Sequence, residues 1–151
     1  MEKEINVRKA TIEDVDAILE IEESSFPTPW SKEAFIGELT QNDFAQYFII
    51  EYNHHIVGYV GMWLILDEAH ITNIAILPQA RGLKLGEFLM RYVMNIAQLV
   101  GATGMTLEVR VSNNIAIALY KKLGFEQHGI RKNYYNDHGK KEDAMIMWVK
   151  L

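Results

Sequence analysis

The chain has 151 residues, which fits one domain over 1–151 with a sizeable core, and its apolar share of 49% is ordinary for a globular protein. A net charge of -5 argues against a nucleic-acid binder that works by broad charge attraction. Cysteine is absent, which excludes disulfides and thiol nucleophiles and leaves a zinc site only His and carboxylates.

The charged opening "MEKEI" is followed by no apolar run, which argues against a signal peptide. The longest apolar stretch, "IVGYVGMWLIL", has eleven residues, whereas a membrane span needs roughly 20. The expectation is a cytoplasmic protein with no direct nucleic-acid partner and no membrane partner.

In chain order, "INVRKA" predicts a first strand. Thr11 can cap a helix, with Asp14 three residues on, and Ile12, Val15, Ile18 and Leu19 recur at helical spacing. The prolines of "SSFPTPW" break that helix, and Ser31 can cap a second one that carries Phe35, Ile36 and Leu39 on one side. "QYFIIEY", a turn at "NHH" and "IVGYVGMWLIL" predict a hairpin. "AHITNIAIL" predicts another strand, stopped by Pro78. From Leu85 the period changes: Leu85, Phe88, Leu89, Tyr92, Val93 and Ile96 share one helix face. "GMTLEVRV" predicts a strand, and "SNN" offers a cap for a helix with the stripe Ala116, Leu119, Tyr120 and Leu123, closed by Gly124. "FEQHGIR" and "DAMIMWVK" predict the last two strands. Strand, helix, strand in the middle implies one parallel pair with a crossover. The fold class is therefore α/β, a mixed and mostly antiparallel sheet with helices on both faces.

"RGLKLGEFL", residues 81–89, lies where a strand end feeds the long helix. The first turn of a helix offers unpaired N–H groups and partial positive charge, a ready site for phosphate. Gly82 and Gly86 let backbone approach a ligand, and Arg81 and Lys84 add cations. The same residues also fit a plain turn with solvated side chains. Neither a Walker loop nor a dinucleotide fingerprint is present.

Taken with its neighbours, this stretch resembles the acyl-CoA-binding motif of the GNAT N-acetyltransferase family: Arg or Gln, two residues, Gly, one residue, then Gly or Ala. Arg81, Leu85 and Gly86 fit the pattern, and Lys84 replaces its first glycine. "LEVRVSNNIAIALYKKLGF" resembles the family more closely still, in the order strand, Asn, helix, Tyr and "LGF". "RKNYYNDHGKKEDAMIM" and "SSFPTPW" are similar to the ribosomal-protein-alanine N-acetyltransferase branch. The resemblance covers nearly the whole chain. It implies acetyl-CoA as cosubstrate, bound by the backbone of Ile74, Ala75 and Ile76, by the loop Arg81, Gly82, Leu83, Lys84, Leu85, Gly86 and Glu87, and by Asn113. It implies a protein N-terminus as acceptor, that of a small-subunit ribosomal protein, flanked by Tyr134 and Tyr135 on one side and Phe26, Pro27 and Trp30 on the other.

Acetyl transfer to an amine needs a proton acceptor, a stabilised thioester oxygen and a proton for the leaving sulfur. The resemblance makes Glu108 the acceptor, through a water, and Tyr120 the donor. Partial burial would raise the Glu108 pKa toward the range of a general base. On the residues alone, Glu108 reads as a surface carboxylate balanced by Arg110. On helical spacing alone Tyr120 reads as a core aromatic beside Leu119 and Leu123, and Asn113 is equally a helix cap. The aromatics at 26–30 and 134–135 could simply cover the sheet end. No nucleophile-type residue is well placed, so direct attack by the amine is expected. The five histidines show no metal-ligand spacing, and no metal is expected. Two further readings are open: an acceptor that is a small amine or lysine side chain, and a non-catalytic CoA-binding or partner-binding module.

Overall fold

The computed structural model describes residues 3–151; Met1 and Glu2, part of the "MEKEI" opening, lie outside the described residues. Strand β1 (Ile5–Lys9) leads into a 3-10 turn at Ile12–Asp14, then helices α1 (Val15–Ser25) and α2 (Lys32–Thr40). Strands β2 (Ala45–Tyr52), β3 (His55–Ile65) and β4 (Glu68–Ile76) follow, then helix α3 (Leu85–Leu99). Strand β5 (Gly104–Arg110), helix α4 (Asn114–Lys122) and strands β6 (Glu126–Asp137) and β7 (Lys140–Lys150) complete the chain. That is the expected order of elements.

Local chemistry sets the boundaries. Thr11 caps the 3-10 turn rather than an α-helix, and its N–H donates to Asp14 Oδ2 at 2.8 Å. Arg8 grips the same carboxylate with two N–H groups, both at 2.9 Å. The Ser31 hydroxyl accepts from Ala34 N–H at 3.1 Å and starts α2. Asn53 and His54 turn the β2–β3 hairpin with both φ positive, and His138 and Gly139 do the same between β6 and β7, as two-residue hairpins require.

The seven strands form one sheet in the order β1-β2-β3-β4-β5-β7-β6. Among the described residues only β4 and β5 pair in parallel; the remaining neighbours are antiparallel. One core lies between the sheet and α3 and α4, centred on residues such as Leu89, Val93, Met105 and Leu107. A second lies under α1 and α2 and holds Ile18, Ile21, Phe35, Tyr47 and Tyr59. Helices thus cover both faces, as the periodicity predicts.

Two irregularities matter for function. First, Gly61 pairs with Asn73 but Met62 pairs with Ile71, so Thr72 is an extra residue in β4. A bulge of this kind bends its strand and re-aims side chains. Ala69 and Ile71 before it, and Ile74 and Ile76 after it, reach the same core. The parallel ladder with β5 stops at Ile71 and Leu107, beside this bulge. Beyond it β4 stays with β3, β5 stays with β7, and the sheet opens.

Second, β6 runs well past the predicted "FEQHGIR" and carries two register shifts against β7. Arg131 pairs with Ala144 and Tyr135 with Glu142, so the intervening β6 segment bows outward with Asn133 at φ 54. Period-2 reading stops at such a break because alternation is lost there. Asn133 N–H is instead satisfied by the Asp143 carboxylate at 2.9 Å.

Among the described residues no helix is long and apolar enough to cross a membrane.

Lys84, the residue before α3, adopts φ 61 and ψ 24, the left-handed region where a Cβ is disfavoured. Lys84→Gly is expected to stabilise the fold by about 0.5–1 kcal/mol and to raise Tm by about 2 °C in a thermal scan.

The hydrogen bonds from Arg8 outweigh burial and hold the Asp14 carboxyl below its ordinary range. A depressed folded pKa adds stability above the unfolded carboxylate range, and that stability is lost as pH falls through the folded value. Asp14→Asn should therefore cost about 2 kcal/mol in urea unfolding at pH 7, with the gap to wild type closing below about pH 4.

Candidate active site

Where β4 and β5 part, two cavities meet. One, of about 400 Å³, opens on the side of α1 and the β6–β7 hairpin. The other, of about 670 Å³, runs from the end of β4 to the starts of α3 and α4. Phe26, Ile74, Asn113 and Tyr120 line both, so they mark the junction.

The larger cavity is built from strand-end backbone and helix starts. Past Ile71 the β5-facing backbone of β4 has no strand partner, which leaves the edge at Ile74, Ala75 and Ile76 open to the cavity. Arg81 fills part of that edge: its Nε donates to the Ile76 carbonyl at 2.9 Å and a terminal nitrogen donates to Ser25 Oγ at 3.2 Å. The guanidinium therefore braces the loop against β4 and α1. The helical ladder of α3 begins with Phe88 N–H bonding to the Lys84 carbonyl at 3.1 Å. Among the described residues the amides from Gly82 to Glu87 have no hydrogen-bond acceptor. Gly82 needs its glycine for a φ of +84, whereas a Cβ on Gly86 would make ordinary contacts with Ile76 and Leu119.

Gly82, Lys84, Leu85, Gly86 and Glu87 line this cavity; Leu83 does not and points to solvent. The Glu87 carboxylate is taken up by Lys122 at 2.8 Å and Arg91 at 3.1 Å, which holds its pKa down. Its negative charge is thereby offset beside a hollow suited to an anion. The far wall is apolar, made by Ile115, Ala116 and Leu119 of α4. Ile115 is 88% exposed, a cost in water that a bound ligand would relieve. Sequence reasoning missed it. The available signal was an apolar residue next to the Asn113–Asn114 cap that lies off the helix's apolar stripe.

The smaller cavity holds the titratable groups. Glu108 is the first β5 residue past the parallel ladder, and it faces the opening. Its Oε2 lies 2.7 Å from His70 Nε2, and its Oε1 lies 3.4 Å from Arg131 Nε. Two expectations are corrected here. Arg110 does not balance Glu108: it forms ion pairs with Asp137 at 2.9 Å and Glu142 at 3.2 Å. The Glu108 pKa is not raised either. Burial pushes it up, but the hydrogen bond and charge of His70 and the charge of Arg131 prevail, so the carboxyl lies below its ordinary value. His70 was overlooked because its strand position gives no hint that it reaches across to β5.

Tyr120 is buried, with its ring edge against Phe125 at 5.8 Å, and burial pushes its phenol up to about 12. No described residue hydrogen-bonds its hydroxyl. Asn113 caps α4, its Oδ1 accepting from Ala116 N–H at 3.2 Å, and its amide hydrogens remain free. Both local readings therefore coexist with a place on the cavity wall.

Phe26 and Trp30 from the α1–α2 loop and Tyr134 and Tyr135 from β6 form facing walls; Pro27 lies outside, and Thr28 lines the cavity instead. Tyr134 and Tyr135 pack edge to face at 5.1 Å, and the Arg110 guanidinium sits 4.1 Å over the Tyr135 ring. Glu22, only 2% exposed, lines the same cavity. It accepts from Trp30 N–H at 2.8 Å and from the Tyr59 hydroxyl, which in turn accepts from Asn73 Nδ2 at 2.9 Å. The signal for Glu22 was its spacing: it falls on the helix face of Val15 and Ile18, where a carboxylate must find partners. Among the described residues no cluster of metal-ligating side chains occurs.

The sequence model of the acetyltransferase (GNAT) family matches residues 15–125. A Bacillus subtilis protein, itself provisionally named a ribosomal protein bS18-alanine N-acetyltransferase, is 49% identical over 100% of this chain and 99% of its own. The ribosomal protein bS18-alanine N-acetyltransferase of Escherichia coli K12 is 35% identical over 91% of this chain and 92% of its own. The crystal structure of the ribosomal-protein-S18-alanine N-acetyltransferase from Escherichia coli superposes with a TM-score of 0.91, covering 97% of this chain and 94% of that one at 32% identity. With an opened sheet, an amide-rich loop before α3 and these matches along its length, the chain belongs to the GNAT family of acetyl-CoA-dependent N-acetyltransferases.

Proposed function

We propose that this enzyme, acting as one domain over its whole length, transfers acetyl from acetyl-CoA to the α-amino group of a protein N-terminus. The acceptor in this reading is the N-terminal alanine of ribosomal protein bS18, for which its relatives are named. The observation that carries the reading is the junction at Tyr120: a buried phenol with an unengaged hydroxyl sits where the cofactor-side and acceptor-side cavities meet.

In this mechanism the diphosphate of acetyl-CoA lies against the free amides of Gly82–Glu87, and the pantetheine runs along β4 beside Asn113. The thioester carbonyl accepts from a free β4 amide near Ile76, a donor typically worth about 3 kcal/mol as the oxygen gains charge. The acceptor amine enters between Phe26 and Trp30 on one side and Tyr134 and Tyr135 on the other. A free α-amino group has a pKa of about 8, against about 10.4 for lysine, so much more of it is neutral at pH 7.

The amine nitrogen attacks the thioester carbon, and the new C–N bond leaves the nitrogen cationic. That nitrogen is far more acidic than a free ammonium, so an ionised Glu108 with a low pKa can take its proton through a water. The C–S bond then breaks. Tyr120 gives its proton to the departing sulfur and regains one from solvent. Burial disfavours phenolate and thiolate alike, so the proton passes between two groups whose charged forms the cavity opposes. Free CoA and the acetylated N-terminus are the products.

Glu108→Gln should lower kcat by about 10²–10³-fold while calorimetry still detects CoA binding at near wild-type affinity. Tyr120→Phe should lower kcat by about tenfold or more with KM for acetyl-CoA little changed. Mass spectrometry of ribosomal protein N-termini, with and without this protein, tests the acceptor: bS18 should shift from acetylated to free, and an unchanged bS18 would remove that substrate.

A further inference from the structure

The contact between His70 and Glu108 sits at the last rungs of the parallel ladder between β4 and β5. His70 pairs with Thr106, one pair before the parallel ladder ends at Ile71 and Leu107. Glu108 is the first residue beyond it. The two side chains leave the same face of neighbouring strands and meet at 2.7 Å. Trp63 packs its ring at a near right angle to the imidazole, 6.0 Å between centroids, which limits how the imidazole can tilt. His70 itself touches neither the reacting amine nor the thioester in the transfer steps.

We propose that His70 is a positioning residue for the proton acceptor: its Nε2–H donates to Glu108 Oε2, fixes the carboxylate plane and leaves Oε1 for the water that carries the proton. The proposal rests on the reading of Glu108 as acceptor. The need for such a donor is physical. A carboxylate in a half-buried cavity is driven toward its neutral acid, which cannot accept a proton, and a donor on one oxygen opposes that drive. The other ionisable groups around Glu108 hold it less closely than His70 does. Arg131 of β6 is at 3.4 Å from Oε1 and largely exposed, and Arg110 of β5 is taken by Asp137 and Glu142. Tyr134 and Tyr135 of β6, Tyr120 of α4 and Glu22 of α1 line the same cavity without a hydrogen bond to Glu108.

Two variants separate positioning from a plain strap between strands. His70→Leu removes the donor, whereas His70→Gln keeps an amide N–H of similar reach. At saturating acetyl-CoA, His70→Leu should lower kcat about tenfold at pH 7, leave KM for acetyl-CoA unchanged and move the acid limb of the kcat/KM–pH profile to higher pH. His70→Gln should restore most of kcat and return the limb toward wild type. A His70→Leu profile that overlays the wild type, or a His70→Gln variant as impaired as His70→Leu, would overturn the proposal. If thermal unfolding shows that His70→Leu has lost its fold, His70→Asn, whose amide is one methylene shorter than that of Gln, takes its place with the same expectations. Glu108→Gln keeps the two ideas apart: full activity there removes the acceptor reading itself. An inactive Glu108→Gln with an unmoved limb at residue 70 removes only the role of His70.

Discussion

A β-strand can satisfy its two edges with two neighbours only while both stay in register, and β4 keeps both only as far as Ile71. The extra residue Thr72 lets it follow β3 through Ile76 while it leaves β5, which follows β7 through Arg110. Backbone groups without partners are costly when dry. Here they line an open cavity, and Arg81 covers one of them at the Ile76 carbonyl. The rest are set in place before any ligand arrives. In the proposed reaction such pre-positioned donors would serve a thioester oxygen better than flexible side chains, because nothing must be reorganised when charge develops.

The bulge also explains why polar residues gather on one side of the opening. Thr72 and Asn73 turn toward α1 and α2, and Asn73 joins Tyr59 and Glu22 in a buried hydrogen-bonded chain. Glu22 then holds the Trp30 amide, so the loop between α1 and α2 is tied to the same irregularity that parts the strands. A network satisfied in this way is rigid. The loop that carries Trp30 is therefore fixed relative to the open edge of β4, although the two are far apart in sequence.

Most of the fold was legible from residue periodicity and caps. The helical stripe from Leu85, the cap at Asn113 and the strand stopped by Pro78 each carry a local signal, and each element formed. Glu108, Tyr120 and Asn113 drew their functional reading from resemblance, because locally they read as an ion pair, a core aromatic and a cap. The cap is present, the Tyr120 ring is packed, and the ion pair uses a different partner. His70 and Arg131 were invisible as partners of Glu108, since they come from β4 and β6, and the pattern of one strand does not show which strands lie beside it. The direction of the Glu108 pKa was missed for the same reason: burial can be guessed from a strand pattern, whereas a neighbour from another strand cannot. Pro27 and Leu83 belong to motifs whose neighbours face the cavities, but backbone direction turns these two away.

The bowed segment of β6 has a consequence beyond the walls of the cavity. β6 is the last strand of the sheet, twelve residues long and largely exposed. A flat strand of that length would offer another chain a ready ladder of unpaired amides and carbonyls. Two breaks in register and the left-handed Asn133 interrupt that ladder. The distortion that lifts Tyr134 and Tyr135 over the opening thus also guards the sheet's free border against intermolecular strand pairing and aggregation.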